Sequence, residues 1–260
     1  MPDPILKVSG VGQVFAPEDG ARSVEALRDI SFEVHPREFV AIVGPSGCGK
    51  STLCELVAGL LRPTQGTLLL KGEPIWGPHP GVGIVFQEDS TLPWLTAREN
   101  VGFGLRMRGV PRAGWESRAT RMMELVGLSG FEHHYPRQLS GGMRQRVAIA
   151  RTLVLDPELI LMDEPFGALD AQTRLLLGEE LLQIWQRVGA TILFVTHDIT
   201  EAVRLADRVV VMSARPGRIK RVVGVSLPRP RALDDPAALA EADRLVAMIW
   251  RDLRAEATIR

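Results

Sequence analysis

Two cysteines, no surplus of either charge and no long apolar run are what this sequence has least to offer. The 31 basic and 31 acidic residues cancel, so no bulk positive field is available to hold nucleic acid. No window approaches the roughly 18 uninterrupted apolar residues of a membrane-spanning helix. The opening segment, MPDPILKVSG, has no basic stretch followed by an apolar run, so no secretory signal is expected and the chain is expected to stay in the cytosol. Cys48 and Cys54 lie in one loop-and-helix segment, where a bridge would distort the loop. Both are expected as free thiols of a reducing compartment. The chain shows no internal repeat and no low-complexity segment.

What it does have is length and apolar content. Its 260 residues are 45% hydrophobic, enough for one large domain or two small ones and too apolar for disorder. ILKVSGV, DISFEV and EFVAIVG (residues 38–44) read as strands, the last running through a glycine loop into the apolar-periodic STLCELVAGLL. GVGIVFQ reads as a strand ending at Gln87. A helical pattern follows from about Thr96 to Gly127, with Met107, Val110, Met122, Met123, Leu125 and Val126 at its apolar positions. ELILMDE (158–164), a helix from about Ala171 to Val188, TILFVTHD (191–198), a short helical piece and DRVVVMSA complete the series. This alternation predicts an α/β fold with a mainly parallel sheet, and LILM and ILFV suit strands buried on both faces. PRPRALDDP (228–236) breaks the pattern. Beyond it Ala242, Leu245, Val246, Ile249 and Leu253 share one helical face, which predicts a docked C-terminal helix, with a partner-binding helix as the alternative.

Residues 44–51 have the Gly-x4-Gly-Lys-Ser spacing of a nucleotide phosphate loop, placed after a predicted strand and before a predicted helix. Gly44, Gly47 and Gly49 leave backbone N–H groups free to converge on an anion, with Pro45, Ser46 and Cys48 completing the loop. Lys50 suits the β- and γ-phosphates, the Ser51 hydroxyl suits Mg²⁺, and Thr52 suits the α-phosphate. A thiol near a helix N-terminus can have a lowered pKa. Cys48 is therefore either alkylation-sensitive and protected by bound ATP, or a spectator.

LILMDEP ends a predicted strand in Asp163 and Glu164. In a phosphate-loop enzyme an acid at a strand end holds Mg²⁺. Adjacent strand residues point opposite ways, so Asp163 is assigned to the metal and Glu164 to the attacking water. Gln87, also at a strand end, suits the metal or the water through its amide oxygen. His197 follows TILFVT at the edge where α/β sheets bind ligands, and either bonds a γ-phosphate or caps the next helix from the surface. Phe15 either stacks on adenine or belongs to the core, and the residues alone favour the core.

Taken together, GPSGCGKST, Gln87, LSGGMRQR, LILMDEP, GALD (167–170) and His197 closely resemble the nucleotide-binding subunit of ABC transporters, in order and spacing, over roughly residues 5–225. The resemblance implies an ATP-hydrolysing α/β core, a phosphate-loop NTPase with a β-rich flank. It implies a helical subdomain inserted at about 90–155, within an ATPase domain of 1–230 followed by a helical tail of 231–260. It implies that Phe15 stacks on adenine, that His197 senses the γ-phosphate, that Glu164 is the catalytic carboxylate and that Asp170 reaches the partner subunit. STLPWLTARENV (90–101) and SARPGRI (213–219) resemble the nitrate, sulfonate, taurine and bicarbonate importer branch. Pro216 and Gly217 suit the central places of a type II turn between two strands, which leaves the flanking arginines unexplained.

The second glycine turn, LSGGMRQRVAIA (139–150), raises a separate question, because one ATP does not readily touch two phosphate turns of one monomer. A hydroxyl, two unblocked amides and a helix N-terminus are aimed at an anion. By resemblance, Ser140, Gly141 and Gly142 face the γ-phosphate held by a second copy, so a homodimer is expected. Transmembrane permease subunits and, indirectly, an extracytoplasmic solute-binding protein are the further partners the resemblance implies. It places the chain on the cytoplasmic face of the membrane. Leu92, Pro93, Trp94 and Leu95 form a short apolar patch that either receives a permease helix or packs internally. The nearest rival is an ABC ATPase acting on DNA or ribosomes. Only 90 positions separate Lys50 from Ser140, with no sustained heptad for a long coiled coil, and the chain has one such domain rather than two. A small-molecule kinase would have no use for LSGG, and a non-hydrolysing module would not need Glu164 and His197.

Overall fold

The computed structural model describes residues 3–16, 23–87, 90–229, 231 and 236–257. Its elements in chain order are β1 (Leu6–Phe15), β2 (Val24–Val34), β3 (Phe39–Val43), α1 (Lys50–Val57), β4 (Gln65–Leu70), β5 (Glu73–Pro74), β6 (Val82–Val85), α2 (Ala97–Met107), α3 (Arg112–Leu125), α4 (Gly141–Leu153), β7 (Leu159–Asp163), α5 (Ala171–Val188), β8 (Thr191–Thr196), α6 (Ile199–Leu205), β9 (Arg208–Met212), β10 (Ile219–Gly224) and α7 (Pro236–Ala257). They divide into two compact units, Met1–His79 with Thr191–Arg260, and Pro80–Ala190.

The first unit holds two kinds of sheet. An antiparallel one has the order β2-β1-β4-β5, with Leu6 opposite both Val34 and Leu70. In the other, β3 lies between β8 and β9 and runs parallel to both, while β10 pairs antiparallel with β9. Every residue of β3 and β8 is buried, as expected for parallel strands covered on both faces. Phe39 and Phe194 meet there with ring centroids 5.7 Å apart. Helix α6 lies on β3 and β8, and α7 packs on α6 and β9 with Leu245 and Ile249 buried. Arg231 donates to the Val203 and Ala206 carbonyls and Arg229 to that of Leu205, which satisfies the C-terminal end of α6. Part of the 228–236 break, residues 230 and 232–235, lies outside the described residues.

In the second unit β6 and β7 pair in parallel, and α2, α3 and α4 pack on one another around Val101, Leu105, Trp115 and Met123. The helical run expected from Thr96 to Gly127 is two helices, interrupted at Gly109 and Pro111. Helix α2 begins with a full capping box, Thr96 with Glu99, and the bonds from Thr96 hold the Glu99 carboxyl below the usual range. Strands β4 and β5 carry no clear alternation and go unread in the sequence. The predicted type II turn at 215–218 is corrected: the Arg215–Pro216 bond is cis and Gly217 is not left-handed.

Candidate functional site

Val43 at the end of β3 lies between Thr196 of β8 and Val211 of β9. The carboxyl ends of these three strands therefore open side by side. Three segments leave the sheet at that edge: residues 213–218 after β9, the phosphate loop after β3 and His197 after β8. Open α/β sheets bind their ligands at this edge.

The phosphate loop turns left-handed at Gly47 (φ 75°) and Gly49 (φ 100°). Gly49 is the N-cap of α1, and a Cβ there would lie 2.6 Å from Leu27 Cδ2, so only glycine lets the loop close onto β2. Lys50 is buried, with Nζ donating to the carbonyls of Gly44 (3.0 Å) and Pro45 (3.2 Å), so its ammonium is folded across the loop. Ser46, Gly47 and Ser51 are exposed, and Thr52 is half-buried in the first turn of α1. The unpaired amides of that turn carry the positive end of the helix dipole.

Cys48 is 1% exposed, and burial pushes its thiol pKa up against the opposing pull of the Lys50 ammonium. The alkylation-sensitive reading is therefore corrected to a spectator thiol. Cys48 and Cys54 are both free, as expected. His197 is exposed and does not cap α6: Asp198 does, its Oδ1 accepting from Glu201 N at 3.1 Å. Phe15 ends β1 opposite Val24 at 40% exposure, so the core placement favoured by the residues alone is corrected.

In the second unit Val85 pairs with Met162, so Gln87 and Asp163 leave on the same side. Strand β6 stops at Val85, which leaves Gln87 exposed beyond the ladder rather than in it. Strand β7 ends at Asp163, so strand alternation does not separate Asp163 from Glu164 as expected. Glu164 instead starts a left-handed turn (φ 45°) closed by Gly167 N donating to its carbonyl at 3.0 Å. A Cβ on Gly167 would lie 3.5 Å from Gln87 Nε2 and 3.6 Å from Glu164 Oε2, so both side chains reach the neighbourhood of this glycine.

Ser140 is the exposed N-cap of α4, its Oγ accepting from Met143 N at 3.3 Å. Its hydroxyl proton remains available to donate. Gly141 and Gly142 form the first turn, beside Leu169 and Thr173. Asp170 caps α5, and its bonds from the Thr173 hydroxyl and amide hold its carboxyl below the usual range.

Among the described residues no group of three or more His, Cys, Asp or Glu can hold a metal by itself. Mg²⁺ still fits the donors present, because it takes one or two protein oxygens together with substrate phosphates and water. Each unit offers one such oxygen by itself, the exposed Ser51 hydroxyl in the first and the half-buried Asp163 carboxylate in the second.

Two residues missed in the sequence fix the 90–96 segment. Asn100 is fully buried: Oδ1 accepts from Leu92 N (2.7 Å), and Nδ2 donates to the carbonyls of Leu92, Leu95 and Thr96 (3.1, 3.0 and 3.0 Å). Arg151 donates to the Ser90 carbonyl and hydroxyl at 2.7 and 2.6 Å, and burial lowers its pKa. Trp94, at the middle of the segment so held, is 69% exposed. A buried asparagine in a helical pattern was the only local signal for this arrangement.

The family model described as ABC transporter matches residues 27–167. The chain belongs to the ABC transporter family. This cassette is 48% identical to the nitrate import ATP-binding protein NrtD of Synechocystis sp., over 86% of its own length and 83% of the relative's. It is 45% identical to the aliphatic sulfonates import ATP-binding protein SsuB of Bacillus cereus, over 87% and 88%. A dimeric ATP-binding cassette, solved in a post-hydrolysis state with ADP and Pi, aligns with a TM-score of 0.72 at 32% identity, over 85% of this chain and 98% of that one. The α/β phosphate-loop fold expected from the sequence is thus the fold of this family.

Proposed function

We propose that the cassette is the ATP-hydrolysing subunit of an ABC importer that takes up a small oxyanion-type solute, such as nitrate, a sulfonate or taurine, through a separate permease. Its similarity to NrtD and SsuB along most of the chain carries this reading. ATP is its substrate, and hydrolysis powers uptake. The ATPase domain is residues 1–230 with the helical part inserted at about 90–155, and residues 231–260 are a tail.

Phosphoryl transfer depends mainly on positioning and charge stabilisation. The backbone N–H groups of residues 46–49 and the Lys50 ammonium hold the β- and γ-phosphates, Thr52 bonds the α-phosphate and Phe15 stacks on adenine. Glu164 orients and polarises the attacking water, while Gln87 and His197 hold the γ-phosphate end. Mg²⁺, when held by Ser51, Asp163 and Gln87, supplies charge neutralisation at the phosphates. Ser140, Gly141 and Gly142 of a second copy present a hydroxyl and two amides to the γ-phosphate, so the working form is a homodimer, with Asp170 reaching the partner. The exposed Trp94, on its pinned loop, supports assigning residues 92–95 to a permease helix. A solute-binding protein outside the membrane acts only through the permease, and nucleic acid has no part. Among the described residues no helix is long and apolar enough to cross a membrane. The spanning role falls to the permease, with the cassette peripheral on the cytoplasmic face.

Uptake of labelled nitrate, taurine and an alkanesulfonate tests this reading, with the cassette expressed beside the membrane protein that copurifies with it. ATP-dependent uptake of one of them is expected. ATP hydrolysis with no oxyanion uptake would overturn the solute class, and no copurifying membrane protein would overturn the importer assignment.

A further inference from the structure

A turn between β9 and β10 needs no arginine, yet residues 213–219 carry Arg215 and Arg218 beside Gly217. The geometry gives one of them a task. Arg215 Nε donates to the Gly47 carbonyl at 3.3 Å, from the side chain of an exposed residue. Two residues on, Gly217 meets the next carbonyl of the loop: a Cβ there would lie 2.1 Å from Cys48 O and 3.2 Å from Leu27 Cδ2. Gly217 is held in place by β2, its N donating to Ala26 O and its O accepting from Arg28 N, both at 2.9 Å. Leu27 Cδ2 thereby lies close to both Gly217 and Gly49. A glycine is required at 217 by this approach of three chain segments, not by a left-handed turn.

We propose that Arg215 is a positioning residue of the nucleotide site, which braces the phosphate loop from outside through the Gly47 carbonyl, with Gly217 abutting the Cys48 carbonyl. Each peptide unit is planar, so a carbonyl and the N–H that follows it point in opposite directions. Holding the carbonyls of 47 and 48 outward turns the N–H groups of Cys48 and Gly49 inward. In this structure Cys48 N does point across the loop, to Pro45 O at 3.2 Å. Inward N–H groups are what a bound phosphate needs. The brace leaves the chemistry at Glu164 alone and acts on how well the loop is shaped before phosphate arrives. Arg218 differs: its backbone N bonds the Ser213 hydroxyl, and its charge lies near Glu25 rather than at the loop.

The inference rests on the assignment of residues 44–52 to the nucleotide phosphates, and one set of calorimetric titrations on the full chain tests both. The probes are MgADP and Mg-pyrophosphate. Arg215→Ala is expected to weaken both by the same factor, about fivefold for one exposed charge-assisted hydrogen bond, because the brace concerns phosphate and not base. The KM for ATP should rise more than kcat falls. The melting temperature of the nucleotide-free variant should match the parent, while the stabilisation that MgADP adds should shrink. Arg215→Lys, which keeps a donor and the charge, should recover part of the loss, and Arg218→Ala should lose nothing. Gly217→Ala should lose about tenfold or more through the clash; should it fail to fold, the Arg215 variants carry the test alone. Parental affinity for both probes in Arg215→Ala, or an equal loss in Arg218→Ala, would overturn the brace. Parental affinity in Lys50→Ala would instead overturn the phosphate-loop assignment.

Discussion

Glu164 holds a backbone angle that a glutamate seldom takes, φ 45°, one residue past the end of β7. The closing bond from Gly167 N supports that angle, and the Gln87 amide and the Glu164 carboxylate both lie beside the same glycine. Such an outlier, held by its surroundings, belongs where a side chain must be aimed. Glu164→Gln is expected to bind ATP as the parent does and to release phosphate at least about a hundredfold more slowly; near-parental release would remove Glu164 from the reaction. Cys48 leads to the opposite kind of expectation. Its burial and raised pKa make its reaction with a thiol reagent slow, at rates equal with and without ATP. ATP-dependent protection would restore the reactive reading. At this scale the motifs were legible because the phosphate loop and the acidic strand end are each written in consecutive residues. The states of Cys48 and Phe15 were not, because exposure is decided by β-strands and loops distant in the sequence.

Among the elements, the strongest local control falls on the 90–96 segment. Asn100 replaces water for four backbone groups, and removing its amide leaves Leu92 N and the Leu95 carbonyl without that partner, while the Leu92 and Thr96 carbonyls keep their backbone bonds. Asn100→Ala is expected to cost about 2 kcal/mol in chemical denaturation. A loss within experimental scatter would show that the segment finds other bonds. Trp94 is exposed on the same segment, so Trp94→Asp should fold normally, keep basal ATPase and lose transport; full transport would exclude it from the permease contact. The buried parallel strands β3, β7 and β8 were legible as apolar runs, and α5 ends at Val188 as its pattern indicated. β4 was not, because its sequence QGTLLL has no period of its own and becomes a strand by pairing with β1 and β5. The turn at 215–218 misled for a related reason: its glycine answers to β2 and the phosphate loop, neither of which is nearby in sequence.

For the molecule as a whole, the Ser140 turn is the feature that a single copy does not explain. Its hydroxyl is exposed and its helix start carries free amides. Ser140→Arg should leave the binding of ATP to the monomer unchanged and abolish ATP-driven dimerisation, measured by light scattering of the Glu164→Gln background. A variant that still dimerises with ATP would end the shared-site reading.

The order in which the chain is made bears on the central strand of the first unit. β3 pairs only with β8 and β9, and both follow the whole of Pro80–Ala190. The ribosome therefore delivers the complete second unit while the phosphate-loop strand still lacks both neighbours. A growing chain can settle residues 80–190 first, but the strand that leads into residues 44–49 must wait, with its fully apolar FVAIV unpaired, until residue 212 has emerged. The strand leading into residues 44–52 is thus translated well before both of its neighbours, and through that interval it is open to aggregation and to chaperones.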